Sequence, residues 1–255
     1  MIYIEPVSAF ADNYIWMLRE EGQKYAVVVD PGDWRPVVAY LEQSGLELSA
    51  IMITHHHPDH VGGVSKLLER YPVDVFGPVY ERISGINIPL KDNDSVNIPL
   101  LGNNVQVMHI PGHTLGHIAF YAPDLSALFC GDTLFSAGCG RLFEGEPQQM
   151  YASLERLKAL PGDTRVYCAH EYTLANLKFA AEVEKNNPAI RDHMRRVEQC
   201  RAEKRPSLPS TVELERRINP FLRCDQPDVV SATGFKPGAD EVAVFAALRK
   251  WKDQF

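Results

Sequence analysis

Cysteine is scarce and poorly placed for cross-linking: five in 255 residues, at positions 130, 139, 168, 200 and 224, with no CxxC pair. That spacing excludes a disulfide-built scaffold or a zinc ribbon, and it fits reduced thiols in a cytoplasmic protein. Each cysteine is expected to act as a small buried hydrophobe. Apolar runs are short, and none approaches the roughly 18 residues of a membrane-spanning helix, so no membrane partner is expected. The opening Met1-Ile-Tyr-Ile-Glu5-Pro6 has no basic segment and does not read as a signal peptide. Positive charge is in deficit as well, with 26 Lys and Arg against 33 Asp and Glu and a net charge of −7. Nucleic acid, whose phosphates need a basic face, is therefore not an expected partner. There is no internal repeat and no low-complexity segment.

The chain does have short apolar runs closed by turn residues. Tyr25–Val29 ends at Asp30-Pro31-Gly32-Asp33, and Ala50–Ile53 leads into a histidine-rich loop. Helices are expected over 36–43 and from Val61 to Tyr71, followed by a short strand at Val73–Phe76. Strands are then expected at Val105–Ile110, Ile118–Tyr121, Ala127–Cys130 and Val166–Cys168, with a helix between Pro147 and Pro161. After Tyr172 no strand is expected, only helices. One of them opens at a Ser210-x-x-Glu213 capping box, and the last carries Val244, Leu248 and Trp251. The expected organisation is an α/β domain over 1–172 and a helical domain over 173–255.

The densest chemistry lies in Thr54-His55-His56-His57-Pro58-Asp59-His60, an H-x-H-x-D-H pattern. In extended backbone alternate residues share a side, so His55, His57 and Asp59 can face one pocket, and a turn can bring His60 round. Imidazole and carboxylate suit zinc, iron or manganese. Three further motifs follow strand patterns: Gly112-His113, Gly131-Asp132 and Ala169-His170. A sheet edge gathers such strand ends into one site. His56 is expected to point away, His193 to be solvated on a polar helix, and His117 either to support a ligand from behind or to be structural.

Together these motifs resemble the metallo-β-lactamase superfamily. Gly131-Asp-Thr-Leu-Phe-Ser136, Gly138-Cys-Gly-Arg141, Cys168-Ala-His-Glu-Tyr-Thr173, Asn219-Pro-Phe-Leu-Arg223 and Lys252-Asp-Gln-Phe255 further resemble glyoxalase II, the hydroxyacylglutathione hydrolases. The resemblance covers nearly the whole chain. It implies an αββα sandwich with a C-terminal helical subdomain that binds glutathione. It also implies two divalent metal ions, zinc first with iron or manganese open. One ion would take His55, His57 and His113, the other Asp59, His60 and His170, with Asp132 and a water or hydroxide bridging. Asp59 and Asp132 are thus the expected catalytic carboxylates. Glutathione would be held by Arg141, Phe143, Tyr172, Arg249 and Lys252. Phe143 departs from the family, many members of which carry tyrosine there and so offer a hydroxyl. The implied reaction is hydrolysis of S-(2-hydroxyacyl)glutathione, such as S-lactoylglutathione, by a monomer. The alternatives are a lactonase, a β-lactamase, a persulfide oxygenase or a generic thioesterase on the same fold. A nuclease is disfavoured by the charge, and a metal-storage domain by the bridging aspartate.

Overall fold

The computed structural model describes residues 1–255 apart from Asn103. It opens with two strands, β1 (Ile2–Ala9) and β2 (Asn13–Glu20), paired antiparallel. Neither was expected from the sequence, because Pro6 interrupts the first. β1 is an edge strand, where the missing N–H of proline is tolerated. β3 (Tyr25–Val29) adds antiparallel to β2.

α1 (Trp34–Ser44) then crosses over. The Asp33 side chain caps it by accepting from the Arg35 amide, and Gly45 closes it in the left-handed conformation at φ 64°. Val37, Val38 and Leu41 form its buried face. β4 (Glu47–Met52) lies parallel to β3. The single helix expected after the histidine loop is two short ones, α2 (Pro58–Val61) and α3 (Val64–Arg70). The break falls at Gly62 and Gly63, where two loops meet at backbone distance. A Cβ on Gly32 would lie 1.8 Å from the Asp59 carbonyl oxygen, and one on Gly63 2.4 Å from that of Pro31. Only glycine allows the approach. β5 (Asp74–Pro78) and β6 (Ile88–Leu90) extend the sheet in parallel, giving the order β1-β2-β3-β4-β5-β6. Val28, Ile51 and Val75 of this sheet pack with Val38, Leu41 and Leu67 of the helices.

β7 (Ser95–Ile98), β8 (Gly102–His109), β9 (Ile118–Ala122) and β10 (Ala127–Gly131) form consecutive antiparallel pairs. All these elements belong to one unit, Met1–His109 with Thr114–Gly131.

The second unit is Ile110–His113 with Asp132–Phe255. It contains a small hairpin, β11 (Leu134–Phe135) and β12 (Gly138–Cys139), then α4 (Pro147–Lys158), started by a Glu146–Gln149 capping box. β13 (Arg165–Cys168) is followed by α5 (Thr173–Val183) and α6 (Pro188–Ala202). A two-residue strand, β14 (Ser210–Thr211), pairs with β13, correcting the expectation of no strand after Tyr172. The helix expected to open at Ser210 is capped one residue later, by Thr211 accepting from Leu214, and runs as α7 (Val212–Ile218). α8 (Pro227–Ala232) and α9 (Glu241–Gln254) complete the chain. Ala137 of the hairpin shares a core with Leu177 and Ala180 of α5, Ile190 and Val197 of α6 and Ile218 of α7. Among the described residues no helix is long and apolar enough to cross a membrane.

Candidate metal centre and substrate cavity

In the first unit the histidine loop leaves the C-terminal end of β4 beside the loop leaving β3, at the end of a parallel sheet where ligand sites collect. Asp30, from the β3 loop, is buried. Its carboxylate accepts from the Thr54 amide at 2.8 Å, the Thr54 hydroxyl at 2.7 Å and His60 Nδ1 at 3.0 Å. The Thr54 hydroxyl, having donated to Asp30, accepts from His55 Nδ1 at 3.1 Å. These partners place the proton of both rings on Nδ1 and leave the Nε2 lone pairs facing the other way. His55 Nε2 lies 3.1 Å from His57 Nδ1, and His60 Nε2 lies 3.6 Å from Asp59 Oδ2. Asn13 Nδ2 holds that same Asp59 oxygen at 2.9 Å. His117 is buried and stacks on His55, with centroids 4.5 Å apart, and its Nδ1 lies 3.1 Å from the Ile118 carbonyl. His56 pairs with Glu81 at 3.0 Å.

In the second unit Asp132 receives two imidazoles: His113 Nε2 lies 3.4 Å and His170 Nε2 3.3 Å from its Oδ2. His113 Nδ1 donates to the Arg141 carbonyl at 2.8 Å, so its Nε2 also presents a lone pair. Gly140 makes this possible, since a Cβ there would lie 1.9 Å from the Asp132 carbonyl oxygen. His170 stacks on Tyr172 at 4.7 Å, and Phe135 stands edge-on to both.

An imidazole lone pair set against a carboxylate oxygen is electrostatically unfavourable unless a cation sits with them. That arrangement occurs in both units, the rings are buried, and the far nitrogens of His60 and His113 are tied by fixed acceptors. The donor chemistry fits divalent metal ions.

Asp132 and His113 also line a cavity of about 540 Å³ in the second unit. Its walls include Phe135, Arg141, Phe143, Tyr172, Asn176, Arg249, Lys252 and Phe255, so it gathers all five residues expected to hold glutathione. They differ in environment. Arg141 and Phe143 are exposed, and the Phe143 ring stands edge-on to His113 at 5.2 Å. Arg249 is only 5% exposed and heavily engaged: Nη1 donates to the Cys139 carbonyl at 2.9 Å, while Nε and Nη2 donate to Asp253. Lys252 donates to the Ala175 carbonyl at 3.3 Å and lies over the rings of Phe179 and Phe255. Partial burial, then the neighbouring Arg249 and Arg141, push its ammonium below the usual lysine range.

Two contributors escaped the sequence. Asp30 ends a strand just as the metal motifs do, but Asp-Pro-Gly-Asp reads first as a turn. Asn13 carries no motif at all. One expectation is corrected: His193 is 6% exposed, not solvated, because α6 turns it inward with Ile190 and Val197. Burial, then Arg196, depress it to about 4.

Comparison with known proteins agrees with this chemistry. Residues 11–170 match the family model of the metallo-beta-lactamase superfamily, and residues 171–255 that of the hydroxyacylglutathione hydrolase C-terminus. The BLEG-1 B3 metallo-beta-lactamase, 23% identical, superposes with a TM-score of 0.65 over 87% of this chain and 99% of its own. TTHA1623, solved in a di-iron-bound form and 27% identical, gives 0.59 over 86% and 100%. The chain has the metallo-β-lactamase α/β fold with a helical C-terminal region. Hydroxyacylglutathione hydrolases from Chromohalobacter salexigens and Alkalilimnicola ehrlichii are 52% and 53% identical, over 100% of this chain and of each relative. The chain belongs to the hydroxyacylglutathione hydrolase family.

Proposed function

We propose that the chain hydrolyses S-(2-hydroxyacyl)glutathione thioesters, such as S-lactoylglutathione, to a 2-hydroxy acid and glutathione, the chemistry that completes methylglyoxal detoxification. The observation that carries this reading is the cavity in which Asp132 and His113 share walls with Arg141, Arg249 and Lys252. Candidate metal-binding groups and carboxylate-binding groups line one space, as a substrate with a scissile acyl group and remote carboxylates requires.

Following the family pattern, His55, His57 and His113 would hold one ion, Asp59, His60 and His170 a second, and Asp132 both. Two divalent ions, zinc first with iron or manganese compatible, are the proposed complement. Such ions make water a usable nucleophile near neutral pH and polarise a carbonyl. The side chains supply the rest. Asp30 and the Arg141 carbonyl fix the tautomers of His60 and His113. Asp59 and Asp132 contribute the negative charge that holds cations, and Asn13 orients Asp59. Lys252 and the exposed Arg141 offer charge to the glutathione carboxylates, and Phe143 and Tyr172 offer apolar wall.

In the reaction water gives up a proton, ultimately to solvent, as its oxygen forms a C–O bond to the acyl carbon, and the C–S bond breaks to leave the 2-hydroxy acid. The electron pair leaves with sulfur as a thiolate, whose pKa near ~8.5 lets it depart without a dedicated acid. Residues 173–255 are proposed as the glutathione-binding part, in a monomer acting in the cytoplasm without nucleic acid or membrane partners.

The test is turnover of S-lactoylglutathione against a small acyl thioester, a lactone and a β-lactam. Strong preference for the glutathione thioester is expected. Turnover of the lactone or β-lactam instead would move the chain to another reaction of this fold.

A further inference from the structure

The β11–β12 turn carries Phe135 on one side and Cys139 on the other, and both line the cavity. Its backbone is bound by side chains from two helices of the same unit. Asn176 of α5 donates to the Ser136 carbonyl at 3.1 Å. Asn219, at the end of α7, donates to the carbonyls of Phe135 and Gly138 at 3.1 and 2.9 Å. Glu215 of α7, fully buried, accepts from the Ala137 amide at 2.7 Å and from Asn219 at 3.2 Å. The clamp holds an unfavourable backbone, since Ala137 sits at φ 55°, where a residue with a Cβ is disfavoured.

No cation lies among the contacts of Glu215 in the described structure. Burial raises its pKa, with the Ala137 amide and then Ser210, Ser136 and Asn219 opposing. Its Oε2 accepts from two neutral donors, the Ala137 amide and the Asn219 side-chain amide.

We propose that Glu215 is a positioning residue for substrate binding: by accepting from Ala137 it fixes the turn that sets Phe135 and Cys139 in the cavity wall. Phe135 in turn packs on Tyr172, and the Cys139 carbonyl receives Arg249. Two members of the candidate glutathione site thus depend on one buried acceptor that touches no substrate. The proposal rests on the glutathione thioesterase reading above.

Three proteins test it: wild type, Glu215→Gln, which keeps an acceptor of the same shape, and Glu215→Leu, which does not. The readouts are binding of the non-hydrolysable S-hexylglutathione by calorimetry, kcat and KM for S-lactoylglutathione and for a small acyl thioester, and metal content. Glu215→Gln should match wild type. Glu215→Leu should bind S-hexylglutathione about tenfold more weakly and raise KM about as much, the scale of one lost buried hydrogen bond, with kcat on the small thioester and metal content far less affected. A folded Glu215→Leu protein with wild-type affinity overturns the proposal, as does equal loss on both thioesters, which marks a purely structural role. If Glu215→Leu does not fold, amide exchange decides: Ala137 N–H should be strongly protected in wild type and Glu215→Gln, and free exchange in wild type overturns the proposal. A wild-type protein inactive on S-lactoylglutathione would instead remove the thioesterase reading itself.

Discussion

Arg249 Nη1 donates to the carbonyl oxygen of Cys139 at 2.9 Å, across 110 residues of sequence. A guanidinium placed in α9 as a candidate carboxylate binder thereby also completes the backbone hydrogen bonding of the β11–β12 hairpin. Lys252, one turn further on, is engaged through its ammonium by one carbonyl at 3.3 Å and two ring faces.

The two cations are therefore expected to separate on mutation. Lys252→Ala should raise KM for the glutathione thioester roughly tenfold, the scale of one charge-assisted hydrogen bond, with kcat nearly constant. Added salt should weaken wild-type binding more than that of the variant. Arg249→Ala should show the same KM defect and also lower the Tm, because a buried carbonyl loses its donor. Kinetics with thermal melts check both, and unchanged KM in both variants would leave α9 a structural element with no part in glutathione binding.

Phe143 bears on affinity. It is 62% exposed at the mouth of the cavity and carries no hydroxyl. Phe143→Tyr should lower KM for the glutathione thioester about threefold to tenfold, the range of one neutral hydrogen bond, without changing kcat on a small thioester. An unaltered KM would show that no group of the bound substrate comes within reach of this position.

Asp30 should control metal retention. Asn tolerates the left-handed backbone at this position, φ 50°, but an amide nitrogen in place of Oδ2 can accept from neither the Thr54 hydroxyl nor His60. Asp30→Asn should weaken metal affinity about 10- to 100-fold, the usual cost of losing a partner behind a ligand. Dialysis against a graded chelator, followed by elemental analysis, measures it. Excess metal should restore most of kcat.

His193 gives the acid limb of stability a component outside the active site. Its folded pKa, about 4, lies below the ordinary value of 6.5. Below 6.5 the unfolded chain takes up a proton that the folded one refuses. Stability is therefore lost as pH falls from about 6.5 towards about 4, by up to ~1.4 kcal/mol per pH unit. His193→Leu removes this contribution, so its Tm should fall less steeply than wild type over that window. Parallel Tm–pH curves would contradict the assignment.

The strands that end at functional residues were legible because each is a short apolar run closed by turn chemistry: Tyr25–Val29, Ala127–Gly131 and Arg165–Cys168 lie within a residue of where the pattern puts them. The metal motifs were legible for the same reason, being spelled in contiguous residues. β1 and β2 were not, since Pro6 masks an edge strand and the period-two signal is weak. The split between α2 and α3 was hidden because Gly62 and Gly63 serve a tertiary approach by the Pro31–Gly32 loop, which no local pattern encodes. Asp30, Asn13 and Glu215 act on groups 24 to 78 positions away, so single residues without a motif carry those roles.

The most direct measurement is activity against metal content: apo-protein titrated with zinc, with elemental analysis and S-lactoylglutathione hydrolysis read on the same samples. Activity should rise with loading and reach its maximum near two ions per chain, and Asp132→Ala should retain fewer ions and lose most of kcat while keeping its fold. Full activity in metal-free protein, or a maximum reached at a single ion, would contradict the account.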